Sequence, residues 1–226
     1  MEDLSLNQFD ADGAIDEALH RLFGRSRASF LGSVAFAGGS FFAALATAAR
    51  AAELGADEID VLNFDLTFEH LQAGFYNEGL RFGALRHETR SWARVIGAHE
   101  QAHVKILSEV LGRRAVKKPF FDYQGVTEDE DAFTKTAVAM EDLTTDLLIG
   151  QLKDLRTPGL VSAVFSLLSV EARHAAWVRH VAGVLPVARP LDQAKSLREV
   201  SEVIRSTRFM KENPITWAKT APRFTG

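Results

Sequence analysis

Glutamate and histidine recur along this chain at a spacing that suits metal binding. Two Glu-x-x-His motifs occur, and each is preceded by a single glutamate at nearly the same interval. Residues three apart are neighbours on a helix surface, so each motif presents a carboxylate and an imidazole on one face. Helical bundles use such a set of four carboxylates and two imidazoles to hold two divalent metal ions. The six residues are Glu69, Glu100, His103, Glu141, Glu171 and His174.

Each of the four glutamates lies on an otherwise apolar helical stripe. One Glu-x-x-His motif alone says little, because surface helices are rich in both residues and a buried glutamate can pair with arginine. An ionised carboxylate is costly to bury unless it is paired or coordinates a metal. The repetition of the pattern therefore favours a metal site. Oxygen-rich ligands with imidazole suit iron or manganese better than zinc or copper.

Four long helices are predicted from apolar stripes whose steps alternate between three and four residues. Gly112 is the expected stop of the second helix. Thr127 with Glu130 forms an expected capping box for the third, and Thr157-Pro158 an N-cap and first helical residue for the fourth. No segment alternates like a strand. The predicted ranges are about 57–86, 88–111, 127–155 and 157–181.

The lengths of the connections predict how these helices pair. Short links join the first helix to the second and the third to the fourth, whereas residues 112–126 form a long connection. Two antiparallel hairpins joined by one long crossover make the ferritin-like topology. The sequence thus predicts an all-α, ferritin-like four-helix bundle over residues 57–185. An N-terminal helical leader (1–56) and a C-terminal helix with a tail (186–226) flank it, the helix spanning about 192–209.

Composition excludes several other classes of protein. The chain has 226 residues, 46% of them hydrophobic and 25% charged, which is typical of a globular protein. It contains no cysteine, so any metal site must use His, Asp or Glu rather than thiolates. The net charge of −4 speaks against a nucleic-acid partner.

An uncharged run from Ala28 to Ala49 has three interpretations. It could be an export signal with Ala46-Thr47-Ala48 as the cleavage site, a membrane span, or a buried helix. Arg25 and Arg27 before Phe30-Leu31 resemble a twin-arginine export signal, although a serine separates the arginines. Export to the periplasm or cell envelope is the favoured prediction, with the cytoplasm as the alternative. Membrane contact is expected only if residues 28–49 are not cleaved.

Tyr76 is the further catalytic candidate. It follows Glu69 by two turns on the same face, where it could donate a hydrogen bond near the site or act as a redox side chain. The alternative is a core tyrosine with a satisfied hydroxyl. Its counterpart in the second hairpin is Leu148. His99, next to Glu100, is expected to point off the ligand face in a structural or supporting role.

The chain resembles the ferritin-like superfamily, and specifically the bacterial ferritin-like domain proteins grouped with desiccation-related proteins. This resemblance spans about residues 57–184 and implies a di-iron or iron/manganese site. It implies Glu100 and Glu171 as bridging ligands, with Glu69 and Glu141 as terminal ligands and one histidine for each ion. The matching stretches are Leu62-Asn63-Phe64, Glu69-His70-Leu71, Phe75-Tyr76, His99-Glu100-Gln101-Ala102-His103, Met140-Glu141-Asp142 and Val170-Glu171-Ala172-Arg173-His174-Ala175-Ala176.

The function predicted from these features is that of a non-haem dinuclear oxidoreductase. Two divalent ions (iron, iron with manganese, or manganese) would react with O₂ or peroxide. The resemblance adds a role in stress protection and export-type leaders in related proteins. The alternative is a non-catalytic stress or envelope protein stabilised by its metals. A homodimer is compatible with the sequence, and a cage-forming iron store is the least favoured reading.

Overall fold

The structure is a computed structural model that describes residues 54–211. Within that range the chain forms helices and no β-strand, apart from an isolated bridge between Phe121 and Met210. Short 3₁₀ turns, Gly112–Arg114 and Leu152–Asp154, follow the second and third helices. The α-helices are α1 (Ala56–Phe82), α2 (His87–Leu111), α3 (Glu130–Gln151), α4 (Pro158–Val181) and α5 (Leu197–Thr207).

The helices pair as two hairpins. Helix α1 packs most closely on α2, and α3 on α4, while α1 also meets α3 and α2 meets α4. The predicted all-α bundle of two hairpins is confirmed, with its long crossover between α2 and α3. Gly112 follows the last residue of α2 at a positive φ of 58°, a conformation that glycine adopts without strain. Thr157 and Pro158 begin α4 as predicted.

The capping box predicted for α3 is wrong. Asp129 is the N-cap, and its carboxylate accepts a hydrogen bond from the Ala132 amide at 2.8 Å. The Thr127 hydroxyl instead donates to Glu78 Oε1 at 2.8 Å, which ties the crossover to α1. Glu130 faces the start of α2, where its carboxylate accepts from the hydroxyl of Thr89. Tertiary contacts therefore use both side chains that the local motif would have needed.

Two apolar clusters fill the bundle along its length. One contains the aromatic side chains Phe75, Tyr76, Trp92 and Phe133, all at most 1% exposed. The other is aliphatic, with Leu62, Leu66, Leu107, Leu148 and Leu167 among its members. The four named aromatic residues lie about two turns from the ligand-type glutamates toward one end of the bundle, and the five named leucines lie one or two turns toward the other end. The ligand-type residues therefore lie between an aromatic layer and an aliphatic layer.

The C-terminal helix is shorter than predicted. It begins after Ser196, whose side chain accepts from the Glu199 amide while the Glu199 carboxylate accepts from the Ser196 amide, a complete capping box. It packs against α3 and buries Val200 and Ile204 against the bundle. Residues 192–196 were expected to be helical, but they form a non-helical segment. In this segment the Lys195 amide donates a hydrogen bond to the Asp146 carbonyl oxygen at 2.9 Å.

The uncharged segment 28–49 lies outside the described residues, so the three interpretations of it remain predictions. Within residues 54–211, none of the helices combines the length and the apolar character needed to cross a bilayer.

Candidate metal centre

The structure brings all six ligand-type residues together in the middle of the bundle. Their positions on the apolar stripes turn every one of these side chains inward. Glu100, Glu141 and Glu171 are 0% exposed, and the least buried of the set is His103 at 7%. Two groups of potential ligand atoms form, and within each the atoms lie within 4.8 Å of one another. The groups are Glu69, Glu100, His103 and Glu171, and Glu100, Glu141, Glu171 and His174.

His103 is the centre of the first group. Its Nδ1 atom faces three carboxylate oxygens, one from each of three helices, which are Glu69 Oε2 at 3.4 Å, Glu100 Oε2 at 3.3 Å and Glu171 Oε1 at 2.9 Å. One ring nitrogen carries at most one hydrogen, so it satisfies one of these oxygens at a time. The contact with Glu171 is short but lacks hydrogen-bond alignment, and Glu171 Oε1 has no hydrogen-bond partner.

The second group repeats this arrangement around His174. Its Nδ1 atom faces three oxygens, which are Glu100 Oε1 at 3.1 Å, Glu141 Oε2 at 3.6 Å and Glu171 Oε2 at 3.3 Å. Glu100 and Glu171 therefore turn one oxygen to each group. The imidazole rings of His103 and His174 are 6.1 Å apart between centroids. Two carboxylates that span two equivalent ligand groups have the arrangement of bridging ligands in a dinuclear site.

Unpaired oxygen atoms test whether these residues fit a pair of cations. Every glutamate of the cluster has one buried oxygen without a hydrogen-bond partner: Glu69 Oε2, Glu100 Oε1, Glu141 Oε2 and Glu171 Oε1. A buried acceptor left unsatisfied costs about 1–3 kcal/mol. Four such atoms, each beside a histidine nitrogen, are the donor set that divalent iron or manganese prefers. The residues therefore fit a dinuclear metal site.

The pKa values of the cluster residues reflect both their burial and their charged neighbours. Burial raises the pKa of Glu69 well above its usual value and that of Glu141 to about 8. Burial opposes the ionisation of Glu100, but the hydrogen bond between His103 and Glu100 Oε2, together with the nearby His174, holds the pKa of Glu100 below the ordinary range. Burial would lower the pKa of both histidines, yet the surrounding carboxylates raise that of His174 to about 12.

Tyr76 contacts a member of the cluster directly. Its hydroxyl donates a hydrogen bond to Glu141 Oε1, from α1 across the bundle to α3. The ring is 0% exposed and meets Trp92 and Phe133 edge-on. Burial, together with the adjacent Glu141, raises the pKa of the Tyr76 hydroxyl well above its usual value. Tyr76 is thus a core tyrosine with a satisfied hydroxyl that also orients one of the ligand-type carboxylates.

His99 supports the cluster from outside. His99 is exposed and belongs to neither group of potential ligand atoms. Its Nδ1 atom lies 2.8 Å from His174 Nε2, and the two rings stack with centroids 5.1 Å apart. Because His174 Nδ1 faces the carboxylates, the contact with His99 uses the other nitrogen of the same ring.

Sequence reasoning missed further buried polar residues near the bundle centre. Gln151 Nε2 donates to Asp65 Oδ1 at 2.7 Å, and the Thr144 hydroxyl donates to Gln72 Oε1 at 2.9 Å. Burial raises the pKa of Asp65 to about 7, with Gln151 opposing the shift. Asp65 and Gln72 lie one turn before and after Glu69 on α1, and this spacing was the available signal for them.

Comparison with known protein families gives a match over the bundle. The model of a family described as ferritin-like domain matches residues 57–184, which is more than half of the chain. No match was found among curated proteins. The matched segment runs from the start of α1 to just beyond α4 and includes all six ligand-type residues. The chain therefore belongs to the ferritin-like domain family.

Proposed function

We propose that the protein is a dinuclear non-haem metalloprotein that performs oxidoreductase chemistry on O₂ or peroxide in protection against stress. Its metals are iron, manganese or one of each. The observation that carries the proposal is the presence of four buried glutamates, each with one unpaired oxygen, around two imidazoles. Cations at these positions would satisfy the four unpaired oxygens.

The six residues have distinct proposed roles. Glu100 and Glu171 would hold both ions, because each turns one oxygen to either group. Glu69 with His103 completes one position, and Glu141 with His174 completes the other. When bound, two metal(II) ions would supply one electron each, which with two protons reduces O₂ to hydrogen peroxide, or hydrogen peroxide to two waters. The protein contributes fixed ligand geometry and a dry surrounding.

Side chains around the ligands orient them and keep bulk water away from them. Tyr76 holds its hydroxyl hydrogen at Glu141 Oε1, so that the other oxygen, Oε2, stays turned toward His174. The aromatic cluster on one side and the aliphatic cluster on the other exclude bulk water. Exclusion of water strengthens every electrostatic interaction in the site.

Elemental analysis of the purified protein tests the proposal. We expect about two iron or manganese ions per chain in wild type, and loss of both in the double variant Glu100→Ala, Glu171→Ala. The matched control is Glu88→Ala, Glu128→Ala, which removes two exposed glutamates and should keep both ions. Wild type that holds no more metal than the Glu100→Ala, Glu171→Ala variant would refute the site.

A second candidate function is a purely structural metal site. Deep burial favours it, since none of the six residues is more than 7% exposed. The two functions differ when iron(II) is bound anaerobically and then exposed to O₂ or peroxide. An oxidoreductase shows an oxidant-dependent change in absorbance and turns over. A structural site shows no turnover, while chelation lowers the melting temperature by mass action.

Export to the periplasm or cell envelope is a further part of the proposal, supported by the uncharged segment from Ala28 to Ala49. Sequencing the N-terminus of protein from its native host tests it. A mature N-terminus near Ala48 supports cleavage, whereas an intact Met1 or Glu2 contradicts it.

A further inference from the structure

The two halves of the ligand cluster are related by the repeat of the hairpins. Glu69 corresponds to Glu141, and the Glu-x-x-His motif of α2 corresponds to that of α4. The surroundings of the two groups can therefore be compared position by position. Where the repeat keeps the ligands but changes their neighbours, the two metal positions acquire different properties.

The first difference concerns the terminal carboxylates. Tyr76 on α1 donates a hydrogen bond to Glu141 on α3. The residue that corresponds to Tyr76 on α3 is Leu148, which is 1% exposed and belongs to the aliphatic cluster. Leucine has no donor, so the repeat offers Glu69 no equivalent of the hydrogen bond that orients Glu141.

The second difference concerns the histidines. His99 lies one residue before Glu100, and its Nδ1 atom is 2.8 Å from Nε2 of His174. The corresponding residue on α4 is Val170, whose side chain has no polar atom. A hydrogen-bond partner on the outer nitrogen fixes the tautomer and ring orientation of a ligating histidine. The contact with His99 fixes the tautomer and the ring orientation of His174 in this way.

Both supporting contacts thus serve the same half of the cluster. His99 reaches His174 from α2, and Tyr76 reaches Glu141 from α1, and His174 and Glu141 belong to one ligand group. Gly97 makes room for this arrangement on α2, because a Cβ there would lie 2.8 Å from Cβ of Tyr76. The other group, with Glu69 and His103, has Leu148 and Val170 at the corresponding positions.

We propose that the two metal positions are unequal: the Glu141/His174 position binds its ion first and more tightly, and the Glu69/His103 position exchanges its ion more readily. This inference rests on the proposed dinuclear site. Partners that orient ligands change metal affinity by about 10–100-fold. A pair of positions that differ to this extent fills stepwise, and it can hold two different metals.

Anaerobic titration of metal-free protein with cobalt(II), followed by visible absorption and calorimetry, tests the inference. Wild type should show two separable steps whose affinities differ by about tenfold or more. Glu141→Gln should remove the tighter step and Glu69→Gln the weaker one, which assigns each step to its position. Circular dichroism of each variant verifies that the helices are intact.

Variants of His99 show whether the supporting contact is the cause. His99→Val copies the residue at position 170 and should weaken the first step by about 10–100-fold while leaving the second unchanged. His99→Gln retains a side-chain acceptor and should restore part of the difference. His180→Val is the control: it removes a different exposed histidine, which lies on α4, and should change neither step.

The outcomes separate this inference from the proposed function. Two indistinguishable steps in wild type overturn the inequality, and an unchanged first step in His99→Val overturns the contact with His99 as its cause. Either result leaves the dinuclear site standing. Absence of cobalt binding in wild type overturns the dinuclear site and the inequality with it.

Discussion

Tyr76 and Glu141 are joined by a hydrogen bond that crosses the bundle from the first hairpin to the second. Both side chains are 0% exposed, so no water competes for the contact. The bond connects the aromatic cluster to the ligand group around His174. It therefore links the packing of the bundle to the orientation of a proposed metal ligand.

Removal of this hydroxyl should be costly. Tyr76→Phe leaves Glu141 Oε1 without its donor, and we expect the free energy of unfolding of metal-free protein to fall by about 1–3 kcal/mol. Chemical denaturation measures this change. The control is Tyr123→Phe, which removes a hydroxyl that donates to the Leu71 carbonyl at 2.8 Å, away from the ligands. Both variants should lose stability, but only Tyr76→Phe should weaken the first metal-binding step. Equal metal binding by the two variants would contradict the orienting role.

The proximity of the six glutamate and histidine residues was predictable from sequence for a simple geometrical reason. Helical periodicity alone determines which side chains share a face, and Glu69 and Glu100 both interrupt apolar faces. The contact between Tyr76 and Glu141 was not predictable in this way. It depends on how α1 and α3 are rotated and staggered relative to each other, which packing of whole helices decides.

The N-cap of α3 was harder to predict because two nearby residues could each cap the helix. Thr127 and Asp129 are both good N-caps, and tertiary contacts chose Asp129 because Glu78 engages the hydroxyl of Thr127. His99 was expected off the ligand face, and it belongs to neither ligand group. Its hydrogen bond to His174 depends on the approach of α2 to α4, which no spacing within one helix reveals.

Asp65 should make stability depend on pH. Burial raises its pKa from 3.8 to about 7, so the folded state binds the proton more tightly than the unfolded state. The contribution of Asp65 to the free energy of unfolding therefore falls as the pH rises above 3.8. It continues to fall until about pH 7 and is constant at higher pH. Asp65→Asn keeps an acceptor for Gln151 and cannot ionise. It should be more stable than wild type at pH 8, by up to the order of 4 kcal/mol, and much less so at pH 5.

Denaturation of wild type and Asp65→Asn across this pH range measures the effect. Asp192→Asn, at an exposed position, is the control and should leave the difference close to zero throughout. A gain in stability that is the same at pH 5 and pH 8 would show that ionisation of Asp65 is not the cause.

Glu58 ties the start of α1 to the turn between α3 and α4. Its carboxylate accepts from the amides of Gly55, Arg156 and Thr157, at 3.1, 2.9 and 2.8 Å. These hydrogen bonds outweigh burial and lower its pKa. Glu58→Ala should cost about 1–3 kcal/mol of unfolding free energy near neutral pH. The part of this cost due to ionisation should be complete above pH 4.5, the ordinary value, and disappear as the pH falls below it. A cost that persists unchanged at pH 3 would exclude the charged hydrogen bonds as its source.

Gly97 is expected to be intolerant of a side chain. A Cβ at this position would lie 2.8 Å from Cβ of Tyr76, so Gly97→Ala must displace Tyr76 or separate α1 from α2. We expect a loss of about 1–3 kcal/mol in unfolding free energy and weaker binding of the first metal ion. Gly159→Ala is the matched control, because a Cβ there meets no atom within 4 Å in the first turn of α4. It should stabilise the protein by up to about 1 kcal/mol. Similar effects of the two substitutions would argue against the close approach of α1 and α2 at Tyr76.

Anomalous diffraction from crystals of protein loaded with iron and manganese, recorded at both absorption edges, tests the central claim most directly. The claim predicts two peaks about 3.5–4 Å apart between the aromatic and aliphatic clusters. Oxygens of Glu100 and Glu171 should touch both peaks, with Glu69 and His103 at one and Glu141 and His174 at the other. A single peak, a peak elsewhere in the bundle, or no peak among these six residues would contradict it.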